Sequence, residues 1–521
     1  MFIAHLPAAY LVLKSAPFKL GATASTAFLI GSIAPDVDMA YFYLIDGRQH
    51  HHHDYLTHRP VLWYLVLLLG LCLSLEADDN ADTSAIKETK TTQGDVLTYV
   101  FEADDLALIP RENNMPPSYS FVPAIMLSTG NWGEYAKVMK DKLKQAASGQ
   151  KQTEEQARTL VKKVKGSSAK AIVIRDFVVR NIRRAGPGAG SITNDAITDA
   201  DITLADGYGN STDNAIVLYA MCKAAKLKPE FVLAGYTARV EPLRQGQLDY
   251  SGASLFGAVL VRVKIDGKDV YLNDSNQYDQ LGVTGYDDCP VMELAKGRIA
   301  ELDIDDELEN RSYQEYYIAI DTAGDATFQV NNRIQGGSFG ARKRMFAEMI
   351  PEMRDRYVQQ LVASVSQSAT LTQPLETRYD SYPGIEQFGV KVDKYAVCDG
   401  DSIYFDVPNG LSVLGLQSDE HKSPYYINGP VESEIRIYVD LPEGYSKVLM
   451  APQSKTWQLP DNAGVLSTEV TTDSSGDMVI TQKVKLNDAV VDPDNYPELL
   501  EINRQVSHKN MEMILVNKAK P

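Results

Sequence analysis

Histidine is missing from the long middle of this chain: none of its eight lies between residues 59 and 420. Any catalytic arrangement built within that stretch alone therefore lacks the most common proton acceptor at neutral pH. Cysteine is scarce as well, with Cys72, Cys222, Cys289 and Cys398 spread over 521 residues. Their spacing gives no C-x-x-C pair and no zinc cluster, which excludes a dense disulfide scaffold and leaves one bridge among the last three open. No compact Lys/Arg patch is present and the net charge is −18. An acidic body of this kind repels nucleic acid and anionic lipid, so nucleic acid is excluded as a partner. No unbroken apolar run reaches the ~20 residues of a full spanning helix.

What is present is uneven. Charges balance through Leu75, with Lys14, Lys19, Arg48 and Arg59 against Asp36, Asp38, Asp46 and Asp54, so the acidic excess lies after that point. The run V61-L-W-Y-L-V-L-L-L-G-L-C-L-S-L75 is apolar apart from Ser74. It is short for a span, but tilt and local thinning cover such a deficit, and S-L-E-A-D-D is a poor signal-peptide cleavage site. The expectation is a retained membrane anchor, helical and membrane-associated. A second apolar run, from 22 to 45, is interrupted by P35-D-V-D38, and carboxylates at membrane depth face protein, water or metal. Basic residues precede the later run and acidic ones follow it, which places the bulk of the chain on the exterior, periplasmic side of a bacterial inner membrane.

Beyond the polar linker at 76–96, the pattern predicts a remnant of a β-rich domain and an extended segment over 97–129. Helical periodicity then begins at W132-G-E-Y-A-K-V-M-K-D-K-L and returns over 170–184. F231-V-L-A-G-Y, F256-G-A-V-L-V-R-V-K-I and D269-V-Y-L-N-D-S read as strands, the last two joined by a D266-G turn. Helices followed by antiparallel strands predict an α+β domain over 130–295. Alternating runs after 314 predict a β-rich domain with one helix over 296–410 and a C-terminal β-sandwich over 411–521.

The stretch G207-Y-G-N-S-T-D-N-A215 opens an apolar helix and sets Ser211 near its N-terminus. The plainer reading of Ser211 is a helix cap; the others are a nucleophile, or a polar contact to a bound peptide or glycan. Serine needs an adjacent base to attack a carbonyl, and this region has no imidazole of its own. Cys222, eleven residues farther along the same helix, reads as a buried core residue. G207-Y-G-N-S lacks the preceding strand and the lysine of a phosphate loop.

The segments M115-P-P, S128-T-G-N-W132, G209-N-S-T-D-N-A215, F256-G-A258 and Y271-L-N-D-S275 resemble those of the DUF3857-type periplasmic transglutaminase-like proteins, whose core is related to papain-like thiol enzymes. The resemblance covers about residues 97–521 and implies a cysteine, histidine and aspartate triad. Matched motif by motif, the cysteine position is Ser211, the histidine position is Ala258 and the aspartate position is Asp274. Two of the three have changed, so the resemblance implies a catalytically impaired protein that keeps the fold and binds a peptide or cell-surface polymer. A serine amidase or acyltransferase using Ser211 is the rival expectation.

His5, Asp36, Asp38, the run from His50 to His53 and His58 gather imidazoles and carboxylates within one short segment. This donor mix suits a divalent metal, zinc first, which could turn a bound water into a nucleophile. M1-F-I-A-H-L-P, G31-S-I-A-P-D-V-D38 and H52-H-D-Y-L-T-H-R-P60 resemble the start of YdjM-like, DUF457-type membrane proteins described as metal-dependent hydrolases. That resemblance covers residues 1 to about 72 and implies a truncated module with His5, Asp36, Asp38, His52, His53 and His58 as metal ligands. No cofactor is expected for the main domain.

Overall fold

The computed structural model describes residues 86–519, apart from 94–95, 104–105, 107, 127, 129, 189–190, 192–195, 236–238 and 475–476. The apolar runs at 22–45 and 61–75 and the six expected metal ligands, His5, Asp36, Asp38, His52, His53 and His58, lie outside the described residues. The chain falls into two units, residues 1–74 with 90–98 and residues 75–89 with 99–521. All elements of the candidate site belong to the second.

Period-2 alternation decides most of that unit. In Arg311–Ile320, Ile318 and Ile320 are buried while Tyr317 and Ala319 face outward, as a half-covered strand requires. This strand sits at the centre of an eight-stranded sheet in the order Ala369–Arg378, Gly384–Val392, Ala326–Ile334, Arg311–Ile320, Val431–Asp440, Met478–Leu486, Gly464–Thr472 and Lys455–Leu459. Every neighbouring pair is antiparallel except Arg311–Ile320 with Val431–Asp440, which run parallel. The covered face shares one core with a four-stranded sheet in the order Val397–Asp399, Ser402–Asp406, Met513–Lys518 and Tyr445–Met450: Ile318, Phe328, Val390 and Val439 meet Ile403, Phe405, Ile514 and Val516. Leu361 and Val362 of the helix Pro351–Val365 pack onto the same core. A further cluster joins Trp457, Leu466 and Val484 to the helix Tyr496–Val506 through Tyr496, Leu499, Ile502 and Val506.

Between residues 132 and 301, helices pack against a smaller antiparallel sheet in the order Lys268–Leu272, Ala258–Ile265, Pro229–Ala234, Pro290–Glu293 and Arg298–Glu301. The helix Ser211–Ala224 is buried at every position from Thr212 to Cys222. Such all-round burial marks a central helix enclosed by its neighbours. Ile174, Val178, Met139 and Leu143 of flanking helices share its core with Phe231, Val261 and Leu272 of the sheet. Gly235 permits a close crossing at the end of Pro229–Ala234, since a Cβ there would stand 1.7 Å from the Leu255 carbonyl oxygen.

The fold class expected from sequence is corrected by this arrangement. The described residues form a mostly β, multi-sheet protein in which the helices of 132–301 cover one of several sheets, not the succession of separate modules expected; the expected membrane-associated helical start lies outside the described residues. Among the described residues no helix is long and apolar enough to cross a membrane. One eight-stranded sheet takes strands from both sides of residue 410. The physical reason is that alternation reports which face of a strand is buried and is silent about which distant strand completes its ladder.

Candidate functional site

The N-terminus of the central helix is fixed by a reciprocal pair. The Asn210 side chain accepts from the backbone N–H groups of Thr212 (2.8 Å) and Asp213 (3.0 Å), and the Asp213 carboxylate accepts from Asn210 N–H (2.9 Å). This is a capping box with Asn210 as the cap. Ser211 is the first residue inside the helix, so its reading as the cap is corrected by one position. The second Asp213 oxygen accepts from Thr198 N–H (3.1 Å), which ties the preceding loop to the helix start. Gly209 is required at the turn, because a Cβ there would meet Asp213 Cβ at 2.8 Å and Thr203 Cγ2 at 2.9 Å.

Ala258 opens the strand Ala258–Ile265, paired with Ala234. Asn273 and Asp274 follow the end of Lys268–Leu272, next in the same sheet. The three positions singled out in the sequence are drawn together by Asn273, whose amide nitrogen donates to the Ser211 carbonyl (2.7 Å) and to the Val259 carbonyl (2.7 Å). Asn273 holds this pose at φ +96°, a left-handed conformation that asparagine tolerates better than most residues. Arg184 donates to the Asn273 carbonyl (2.5 Å) and side-chain oxygen (3.2 Å). Arg183–Arg184 pairs in parallel with Tyr208–Gly209, which brings that arginine beside the helix start. The loop after it approaches closely too, since a Cβ on Gly188 would lie 2.9 Å from the Gly257 carbonyl oxygen.

Asp274 does not bond to Ser211. Its Oδ2 accepts from the Thr284 hydroxyl and from Gly285 N–H (3.2 Å), while its Oδ1 is buried without a hydrogen-bond partner among the described residues. Burial pushes the carboxyl up to about 6, against the pull of the Thr284 and Gly285 donors. An unpartnered buried oxygen favours the protonated form, which can supply a donor.

Among the described residues no imidazole serves this constellation. His421 is buried with Nδ1 2.5 Å from the Ser423 carbonyl and Nε2 2.8 Å from the Asn113 carbonyl, its ring against Tyr425 and Tyr496. His508 caps a short helical turn by accepting from Asn510 N–H (3.2 Å). Cys222 is fully buried, and burial pushes its thiol up to about 12. Cys222, Cys289 and Cys398 are all free thiols, which closes the disulfide alternatives among them. Among the described residues no group of three or more His, Cys, Asp or Glu is placed to hold a metal ion.

Two residues of the entry motif, Ser128 and Trp132, are held by the segment 248–256 that leads into the strand Ala258–Ile265. The Ser128 hydroxyl donates to the Ser251 carbonyl (2.8 Å), the Trp132 indole N–H donates to the Leu248 carbonyl (2.6 Å), and its ring meets Phe256 edge-on at 5.2 Å. Asn131 caps the helix Trp132–Ala146 by accepting from Glu134 N–H (2.9 Å).

Residues 401–516 match the model of DUF3858, a domain of unknown function with solved structure. That segment supplies Ser402–Asp406, Val431–Asp440 and the other C-terminal strands, and it contains His421 but none of Ser211, Ala258 and Asp274. No curated protein matches the chain. Among solved structures, the chain is similar to the crystal structure of a "putative protease" from Parabacteroides distasonis ATCC 8503, at 15% identity and a TM-score of 0.48, covering 83% of this chain and 68% of that one. The resemblance of residues 1–72 to DUF457-type proteins lies outside both the described residues and the matched family model.

Sequence reasoning missed the roles of Arg184, Gly188 and Asn273. The signal for Asn273 is a polar residue set directly after the buried run V270-Y-L272, where a side chain facing inward needs partners in the core. The signal for the loop is its glycine density in G186-P-G-A-G190, which allows two backbones to approach.

Proposed function

We propose that this chain is a catalytically impaired transglutaminase-like protein that serves as a binding or scaffold module of the cell envelope, with a peptide or surface polymer as its ligand. One observation carries the reading: Ala258, a side chain that cannot take a proton, stands where the family resemblance expects the imidazole. The carbonyl of the next residue, Val259, shares its Asn273 donor with the Ser211 carbonyl. Both described imidazoles are engaged elsewhere, and Asp274 bonds to Thr284 and Gly285 instead of a catalytic partner. A hydroxyl without an acceptor for its proton remains a poor nucleophile. What persists is the helix start, the tether and the adjoining glycine loop, which can hold a ligand without transforming it.

The test is labelling of the purified full chain with a fluorophosphonate and with iodoacetamide. The wild type is expected to give no fluorophosphonate adduct at Ser211. An adduct that disappears in Ser211→Ala would overturn the proposal in favour of serine chemistry. The double variant Ser211→Cys with Ala258→His is expected to alkylate at position 211 faster than Ser211→Cys alone, because the added imidazole promotes thiolate formation. Equal rates would remove the assignment of Ala258 as the vacated base position.

A further inference from the structure

We infer that the open face of the eight-stranded sheet is a binding groove for a neutral glycan, independent of the Ser211 site. One register row crosses five strands on that face: Gln373 beside Gly389, then Gln329, Tyr317 and Tyr438. The residues that alternate with them, among them Ile318, Phe328, Val390 and Val439, point into the core on the other side. Above this row lies a groove of about 540 Å³.

Its walls are prepared. Tyr317 and Tyr438 stack in parallel with ring centres 4.6 Å apart, and Tyr317 is 40% exposed. Glu315 accepts from the hydroxyls of Tyr313 (2.7 Å) and Tyr317 (3.4 Å), which sets the orientation of the exposed ring in advance. Gly389 and Ala319 contribute no bulk to the floor, so the larger side chains stand as rims. Preorganised aromatic walls of this kind lower the entropy lost on binding.

The chemistry of the lining selects the occupant. Gln329 and Gln373 each offer a donor and an acceptor in one plane, and Thr327 and Thr372 offer hydroxyls. These pair with vicinal hydroxyls, while the tyrosine rings present apolar surface to the C–H faces of a sugar. Asp440 and Asp477 close one end, and no Lys, Arg or His is among the described residues lining the groove. That charge pattern disfavours an anionic polymer, because the two carboxylates would repel it. A peptide recognised by a sheet adds a strand at an edge and needs pockets for apolar side chains. Here the backbone groups of the central strands are already spent on their own ladder, so only side chains remain to read a ligand.

Native affinity electrophoresis of the full chain tests this, with mixed-linkage β-glucan, dextran, mannan or arabinoxylan cast in the gel and polygalacturonate as the anionic comparison. At least one neutral polymer is expected to retard the protein and polygalacturonate is not. Tyr317→Ala and Gln373→Ala are each expected to weaken that retardation about tenfold, equivalent to ~1.4 kcal/mol, with an unchanged melting temperature. Gln373 is exposed, so its variant reads the groove even if Tyr317→Ala fails to fold. No retardation by any of the four neutral polymers, retardation by polygalacturonate alone, or retardation that survives Gln373→Ala would overturn the inference.

Discussion

The side-chain nitrogen of Asn273 lies 2.7 Å from the carbonyl oxygen of Ser211 and also donates to Val259, so one amide joins the head of the central helix to the strand that begins at Ala258. A carboxylate or an aliphatic residue at 273 could not make that bridge, since both acceptors are carbonyls. The bridge, rather than any bond among the Ser211, Ala258 and Asp274 side chains, holds these three positions in one neighbourhood.

Removing the amide leaves two buried carbonyls unsatisfied, which costs about 1–3 kcal/mol. Position 273 also has φ +96°, where alanine adds strain and glycine does not. Asn273→Ala is therefore expected to destabilise more than Asn273→Gly, by roughly 1 kcal/mol. Thermal unfolding followed by circular dichroism ranks the two, and equal losses would show that the left-handed backbone contributes nothing.

The capping box predicts a contrast between adjacent residues. Asn210→Ala removes the acceptor for Thr212 N–H and Asp213 N–H and is expected to lower stability by about 1 kcal/mol. Ser211→Ala leaves the cap intact and is expected to change stability by no more than ~0.5 kcal/mol. A larger loss in Ser211→Ala than in Asn210→Ala would return the capping role to Ser211.

The same pair shows how far the sequence could be read. G209-N-S-T-D213 announces a helix start, but Asn210 and Ser211 are both good caps, and the reciprocal bond from Asp213 decides between them only in three dimensions. The D266-G267 turn is legible because both residues need positive φ, +51° and +88°, and that requirement is local. The parallel pairing of Arg311–Ile320 with Val431–Asp440 is not legible, because strand partners are chosen by long-range packing that leaves no mark in either segment alone. Arg184 was hidden for a related reason: its place beside Asn273 depends on a two-residue parallel bridge too short to have a periodicity.

Thiol reactivity should separate the three described cysteines. Burial pushes Cys222 up to about 12 and raises Cys289, while Cys398 is exposed. Native alkylation read by peptide mass spectrometry is expected to modify Cys398 first and to leave Cys222 unmodified until the protein unfolds. Early modification of Cys222 would mean that the central helix opens readily from the native state.

Two buried carboxyls predict opposite pH slopes. Burial raises Asp274 from an ordinary value of 3.8 to about 6. Between those values the folded state holds the proton more tightly than the unfolded chain, so this group makes stability fall as pH rises from about 4 to 6. For Glu293, burial alone would raise the carboxyl, but hydrogen bonds from Arg298, Lys296 and Arg262 bring it from 4.5 down to about 2. Its contribution is present above the unfolded value and is lost as pH falls from about 4.5 toward 2. Asp274→Asn should therefore gain on the wild type as pH rises from 4.5 to 7, by on the order of 2 kcal/mol, since the amide has no proton to lose. Glu293→Gln should lose most against the wild type at pH 7, by about 3 kcal/mol, because it removes the buried carboxylate that Arg262, Lys296 and Arg298 share and leaves Arg262 with Glu230 and Asp269, and the gap should narrow in acid. Melting temperatures of the three proteins at pH 3, 4.5, 5.5 and 7 check both slopes at once; a gap between Asp274→Asn and the wild type that ignores pH would mean that Asp274 titrates alike in the folded and unfolded chain.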